Sequence, residues 1–291
     1  MMTQTLAVLV PRIRAAGAVG DRGAIPARRP KTPLSVIGVP LASFAVALLA
    51  WYAVTYLVLE PQRRFLLPAP HRVLTLSLLD SAHLMPMLEA LAVTARVTAI
   101  GFVIAVLFGV TVGVLMNQAR WIERAVYPYA VALQVIPILA IVPLIGLWFG
   151  YGMVARTIVC VMIAAFPIIT NTHFGLRSVD RGLHELFTLG RANRWERLTK
   201  LELRAALPSI LTGIRTAAGL VVVGAIIGDM FFAKGEPGIG TLLDVYRSRL
   251  QSEDLIAAIA IASAFGIAVF SLFGILSRAL VGRWHASGSD S

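Results

Sequence analysis

Acidic side chains are scarce in this sequence, cysteine is all but absent, and no stretch has the spacing of a nucleotide or metal site. Its 291 residues include 15 Asp and Glu against 26 Lys and Arg, and a single cysteine. One thiol cannot close an intrachain disulfide, and Cys160 falls inside an apolar run, where it reads as a small packing residue. No G-x-x-x-x-G-K-[ST] segment occurs, so the chain lacks the loop whose backbone N–H groups cradle nucleotide phosphates. The histidines, His71, His83, His173, His184 and His285, never take the H-E-x-x-H spacing of a zinc site. Nor does a nucleophile stand beside a base and an acid, so neither catalytic, cofactor nor metal residues are expected and an enzyme reading has little support. GEPGIG at 235–240 looks superficially like a phosphate turn. It follows a long apolar run, without the preceding strand or the Lys-Ser pair, and is expected to be a tight turn.

What the sequence has in abundance is apolar length. Hydrophobic residues make up 58% and charged ones 14%, and the mean hydropathy is +0.80; soluble domains do not have this balance. A helix crosses a bilayer core of about 30 Å in roughly 20 apolar residues. Six runs qualify, at about 34–59, 89–116, 125–149, 154–174, 208–231 and 255–281. The expected fold is all-α: a polytopic membrane protein with about six transmembrane helices.

The net charge of +11 would suggest nucleic acid in a soluble protein, but here the basic residues gather in particular links, so no nucleic-acid partner is expected. Arg12, Arg14, Arg22, Arg28, Arg29 and Lys31 precede the first run. Arg177, Arg181, Arg191, Arg194, Arg197, Lys200 and Arg204 crowd the link between the fourth and fifth. With six spans both groups lie on one side, which the positive-inside rule makes cytoplasmic, as are both termini. The chain then divides into a flexible basic tail (1–33), a first span with an external connection (34–88), a core (89–284) with a cytoplasmic loop (175–207), and a short cytoplasmic tail (285–291).

Glycines recur one turn apart at Gly109 and Gly113, Gly146 and Gly150, and Gly224 and Gly228; such pairs let helix backbones approach. Pro137 and Pro143 each remove a backbone donor from the third run and are expected to bend it, either beside a pathway or as a packing distortion. Charges within spans are costly. Arg96, Arg156 and Arg215 sit near span ends and are read as snorkelling, while Asp229 suits helix pairing or gating. Gln134, Asn171 and Thr172 either line a cavity or hydrogen-bond between helices.

The most informative segment is ELFTLGRANRWERLTKLELRAALP at 185–208, basic and amphipathic between greasy runs. Leu186, Phe187 and Leu189 fall near one another, Trp195, Leu198 and Leu201 form a second apolar patch, and Gly190-Arg191-Ala192-Asn193 reads as a turn between two short helices. Such helices could rest on lipid headgroups.

The segment resembles the EAA loop of ABC-importer permeases, in which Glu185 takes the glutamate place, Leu186 and Phe187 the alanines, and Leu201 and Leu203 the apolar pair. Arg191 stands where the family usually has glycine, with Gly190 one place earlier, and Arg204 where it has proline; Pro208 matches. The resemblance extends over about 89–284. ARWIERAVYPYAVALQVIPILAIVPLIGLWFGYG, FPIITNTHFGLRSVD, GIRTAAGL, GDM and GRW are similar, in order, to permeases of the nitrate, sulfonate, taurine and bicarbonate group.

The resemblance implies a type I ABC importer permease fold, set in membrane lipid of the bacterial inner membrane. It further implies a cytoplasmic ABC ATPase dimer, an external substrate-binding protein and a second permease copy, a homodimer being the simplest pairing. Glu185, Phe187, Leu189, Gly190, Arg194 and Trp195 become candidates for ATPase coupling. Gln134, Pro137, Asn171, Arg215 and Asp229 become candidates for the translocation path. The expected cargo is a small anion such as sulfonate, taurine, nitrate or bicarbonate, with a thiamine-pathway pyrimidine as the alternative. An ion-gradient-driven secondary transporter is the rival class, and the scarcity of acids within the spans argues against its proton relay.

Overall fold

The computed structural model describes residues 33–281, apart from position 233. Of the expected tail segments 1–33 and 285–291, only residue 33 falls within that range. Among the described residues there is helix and no strand. The chain divides after Leu49 into two units. In the first, α1 (Pro33–Ala53) begins; its side chains Val39, Leu41, Phe44, Val46 and Leu49 are exposed, as lipid-facing residues of a span are.

In the second unit, short helical turns fill the expected external connection, with α2 at Pro70–Val73. The next span starts earlier than its hydropathy suggests, because Asp80 caps it: the Asp80 carboxylate accepts the Ala82 N–H at 2.9 Å. This helix, α3, runs Ser81–Gln118 and carries Pro86 within its first turns.

The third expected span is not one helix. α4 (Arg120–Val135) and α5 (Ile138–Phe149) meet at 105°. The reason is local: a proline disfavours helical geometry in the residue before it, and Ile136 is extended at φ −63°, ψ 126°. Pro143, equally expected to bend the run, sits inside α5 without breaking it. Among the described residues five helices are long and apolar enough to cross a membrane, and the bent pair makes a sixth if taken as one span.

The remaining elements are α6 (Met153–Arg177), α7 (Arg181–Leu189), α8 (Arg194–Arg197), α9 (Leu203–Phe231), α10 (Ile239–Ser248) and α11 (Ser252–Val281). α6 is the central helix, packed between α3 and α9, and glycines set the closeness. A Cβ at Gly109 or Gly113 would stand 2.7 Å from Ile168 or Thr172 of α6. One at Gly224 would stand 2.9 Å from the Cys160 backbone, and one at Gly228 3.1 Å from that of Arg156. Gly146 admits the Tyr151 ring, whereas Gly150 ends α5 with φ +80°. Cys160 itself is buried in the core with Val97, Ala105, Ile168, Ala217 and Val221.

The links sort to two ends. At one, Asn117 donates to Glu202 at 2.9 Å and Arg177 to Glu123 at 2.5 Å. At the other, Arg72 pairs with Glu253 at 3.2 Å, Ser77 donates to Asp254 at 2.7 Å, and the Lys234 N–H donates to the Tyr151 carbonyl at 3.1 Å. Alternate links therefore share an end, as successive crossings of a bundle require.

Candidate functional site

The segment between α6 and α9 is built as a protruding hairpin. Asp180 caps α7, its carboxylate accepting the Gly182 N–H at 2.7 Å. α7 stops at Gly190, and the chain turns through Arg191, which has φ 51°. This left-handed conformation suits glycine, and it falls at the position where the EAA pattern has one; Gly190 itself has φ −72°. The turn thus takes its shape despite the substituted residue. A capping box then starts α8: Asn193 accepts the Glu196 N–H at 2.8 Å and the Glu196 carboxylate accepts the Asn193 N–H at 3.2 Å. Arg197 donates to Thr188 Oγ1 at 3.0 Å, clamping the two helices together.

The apolar side chains sort to two faces. Leu198 and Leu201, expected to share a patch with Trp195, are buried instead, Leu198 in a core with Leu176, Ala206 and Ile210. Trp195 is 71% exposed and Leu189 83%. Leu186 is also exposed and Phe187 half-buried, so Leu186 joins the outer face and Phe187 supports it. Leu183, one turn before, is exposed as well; its place on the face was legible from its spacing to Leu186 and was missed. Leu186, Phe187, Leu189, Gly190, Ala192 and Glu196 line a shallow concavity of about 440 Å³. Glu185 and Arg194 are exposed beside it with no partner among the described residues. An apolar, pre-shaped face flanked by free charges is what helix-in-groove recognition uses.

The five expected path residues fall in different surroundings. Gln134 and Pro137 lie exposed at the α4–α5 bend. Asn171 donates to the Pro167 carbonyl of its own helix at 2.8 Å and packs on Gly213 of α9. Arg215 is exposed, its guanidinium 4.6 Å from the centre of the Phe270 ring.

Asp229 is fully buried and serves helix pairing. Arg156 Nη1 stands 3.2 Å from its carboxylate, and Thr94 Oγ1 donates to it at 2.5 Å. Thr94 Oγ1 accepts the Ile239 N–H at 2.8 Å. Arg156, expected to snorkel, instead donates to the carbonyls of Phe232 and Glu236. The glycines of GEPGIG belong to the same arrangement. A Cβ at Gly238 would overlap the Asp229 carboxylate, and one at Gly240 the Ile226 carbonyl. Arg96 does reach outward, 3.3 Å from Glu236.

A bundle of membrane-length helices with an exposed apolar hairpin between two of them fits a transport permease. Residues 101–285 match the family described as binding-protein-dependent transport system inner membrane component, and the chain belongs to that family. It is similar to the formylaminopyrimidine transport permease protein ThiX of Halalkalibacterium halodurans, at 32% identity over 83% of this chain and 94% of that one. Similarity to the riboflavin transport system permease protein RibX of Chloroflexus aurantiacus is 38% over 58% of this chain and 62% of the relative. For the putative aliphatic sulfonates transport permease protein SsuC of Bacillus subtilis the figures are 30%, 65% and 67%. Among solved structures, a chain of an amino acid ABC transporter crystallised with histidines matches with a TM-score of 0.54 at 18% identity. That match covers 67% of this chain and 94% of the other, and shows the shared fold.

Proposed function

We propose that this chain is the permease subunit of an ATP-driven importer in the bacterial inner membrane, working by alternating access. A solute arrives on an external binding protein and enters a cavity between two permease copies. A cytoplasmic ATPase dimer grips α7 and α8 of each copy and moves them. The observation that carries this reading is the α7–α8 hairpin: an exposed face of Leu186, Leu189 and Trp195 on a scaffold held by two caps and the Arg197–Thr188 clamp.

ATP can drive the switch only through its different affinities for the two ATPase arrangements, so the hairpin must hold through the whole cycle. Its short helices and buried root at Leu198 and Leu201 supply that stiffness. Both termini are proposed to be cytoplasmic, on the side of the hairpin.

For cargo, a small oxyanion is the first reading, with exposed Arg215 and Gln134 as donors. The second is a planar heterocycle, supported by similarity to permeases named for formylaminopyrimidine and riboflavin and by the Arg215–Phe270 stack, a surface suited to flat rings. The test is uptake in liposomes holding the permease with its ATPase and binding protein. Trp195→Ala and Glu185→Lys each reduce ATP-driven uptake at least fivefold, the effect of losing about 1 kcal/mol or more at a contact anchor. Wild-type uptake in both variants would remove the coupling role. Unchanged uptake kinetics in Arg215→Ala would remove that residue from the path.

A further inference from the structure

We infer that the outer face of α4 carries a binding site for the phosphate headgroup of an anionic phospholipid. Arg120, Glu123, Arg124, Tyr127 and Pro128 of α4, with Arg177 at the end of α6, line a concavity of about 440 Å³. α4 is amphipathic, and its inner face, Ile122, Val126, Ala130 and Leu133, packs on Met116, Ala165 and Ile169. The arginines are left on the other side.

Charge in this pocket is unbalanced. It holds three guanidinium groups and one carboxylate, and that carboxylate is already engaged. Glu123 Oε1 accepts from Arg177 Nη1 at 2.5 Å and lies 3.2 Å from His173 Nε2. Arg120 and Arg124 are exposed one turn apart and have no carboxylate partner among the described residues. Like charges at this spacing repel and weaken a helix. An anion seated between them turns that repulsion into two charge-assisted hydrogen-bonding contacts, the geometry guanidinium offers to phosphate.

The surroundings select a lipid over a soluble anion. Trp121 and Tyr129 are 72% and 75% exposed, and Tyr127 lines the pocket itself. Tryptophan and tyrosine favour the headgroup level of a membrane, and the break before α5 frees α4 from following the line of that helix. Basic pockets beside transmembrane helices on the cytoplasmic side hold acidic headgroups. The leaflet follows from the sidedness proposed above; the pocket and its preference for anionic lipid do not.

The test is native mass spectrometry of the purified full-length chain, titrated with phosphatidylglycerol or phosphatidylcholine in detergent. The wild type retains phosphatidylglycerol in preference, and Arg120→Gln/Arg124→Gln lowers that preference roughly thirtyfold, at about 1 kcal/mol per basic residue. Arg124→Gln alone lowers it roughly fivefold, and Arg120→Lys/Arg124→Lys keeps most of it. Equal retention of the two lipids by the wild type, or full preference in both glutamine variants, overturns the site. Inorganic phosphate displacing the lipid with the same arginine dependence overturns the lipid assignment. ATP-driven uptake is scored separately, so failure of the transport reading leaves this result standing on its own.

Discussion

Arg156 and Asp229 bring opposite charges to the same buried point, and neither can lose the other cheaply. An ion pair in low dielectric is weak evidence of net stabilisation, but removing one partner strands a buried charge at a cost of about 3–5 kcal/mol. Asp229→Asn should therefore lower the thermal unfolding midpoint in detergent sharply, and Arg156→Met/Asp229→Leu should recover much of the loss. A double variant as unstable as the single one would show that the carbonyl contacts of Arg156, not its charge pairing, hold the site. Arg191 offers the opposite kind of test. A left-handed non-glycine residue costs about 1–2 kcal/mol, while glycine adds about 0.5–1 kcal/mol of unfolded-state entropy. Relief wins, so Arg191→Gly should stabilise the fold by about 0.5–1 kcal/mol with uptake intact. An unchanged or lower unfolding midpoint would refute the strain.

At the scale of elements, glycine spacing predicted close helix approach, and α6 is where it happens. Two faces of α9, one against α6 and one against α11, can be separated by substitution. Gly224→Val pushes a side chain into the Cys160 backbone, which cannot yield, and should cost about 1–3 kcal/mol or more. Gly219→Ala meets only Phe270, at 3.5 Å, and should be near neutral; similar unfolding midpoints for both would contradict this packing. The hairpin divides in the same way. Leu198→Ala opens a cavity in the core and should lower stability by about 2–5 kcal/mol. Trp195→Ala should leave stability unchanged and weaken only the ATPase contact, read by copurification. Several elements were legible for local reasons. Apolar length gave the spans, glycine spacing the helix contacts, and Gly190 to Asn193 the turn. What escaped depended on distant partners or on a single dihedral. The Asp229–Arg156 pair joins residues on different helices, Leu198 is drawn away from Trp195 by its packing on Leu176, Ala206 and Ile210, and the 105° bend follows from Pro137 where an equally apolar neighbour, Pro143, is absorbed.

For the whole molecule, the side-chain pairs at its two ends give the topology a structural basis that charge counting lacked. Asn117 with Glu202 and Glu123 with Arg177 close one end, and Arg72 with Glu253 and Ser77 with Asp254 the other. Family membership places these ends across a membrane, and the hairpin shares the end that carries most of the positive charge. The central claim is that α7 and α8 form a cytoplasmic lever gripped by a separate motor. Cys160, the one native thiol, is buried, so a single cysteine at the exposed Leu189 position can be labelled against a quiet background. Leu189→Cys should react with a membrane-impermeant maleimide in inside-out vesicles and not in right-side-out ones, and added ATPase should protect it. Labelling from the outer face, or reactivity that the ATPase leaves untouched, would contradict the account.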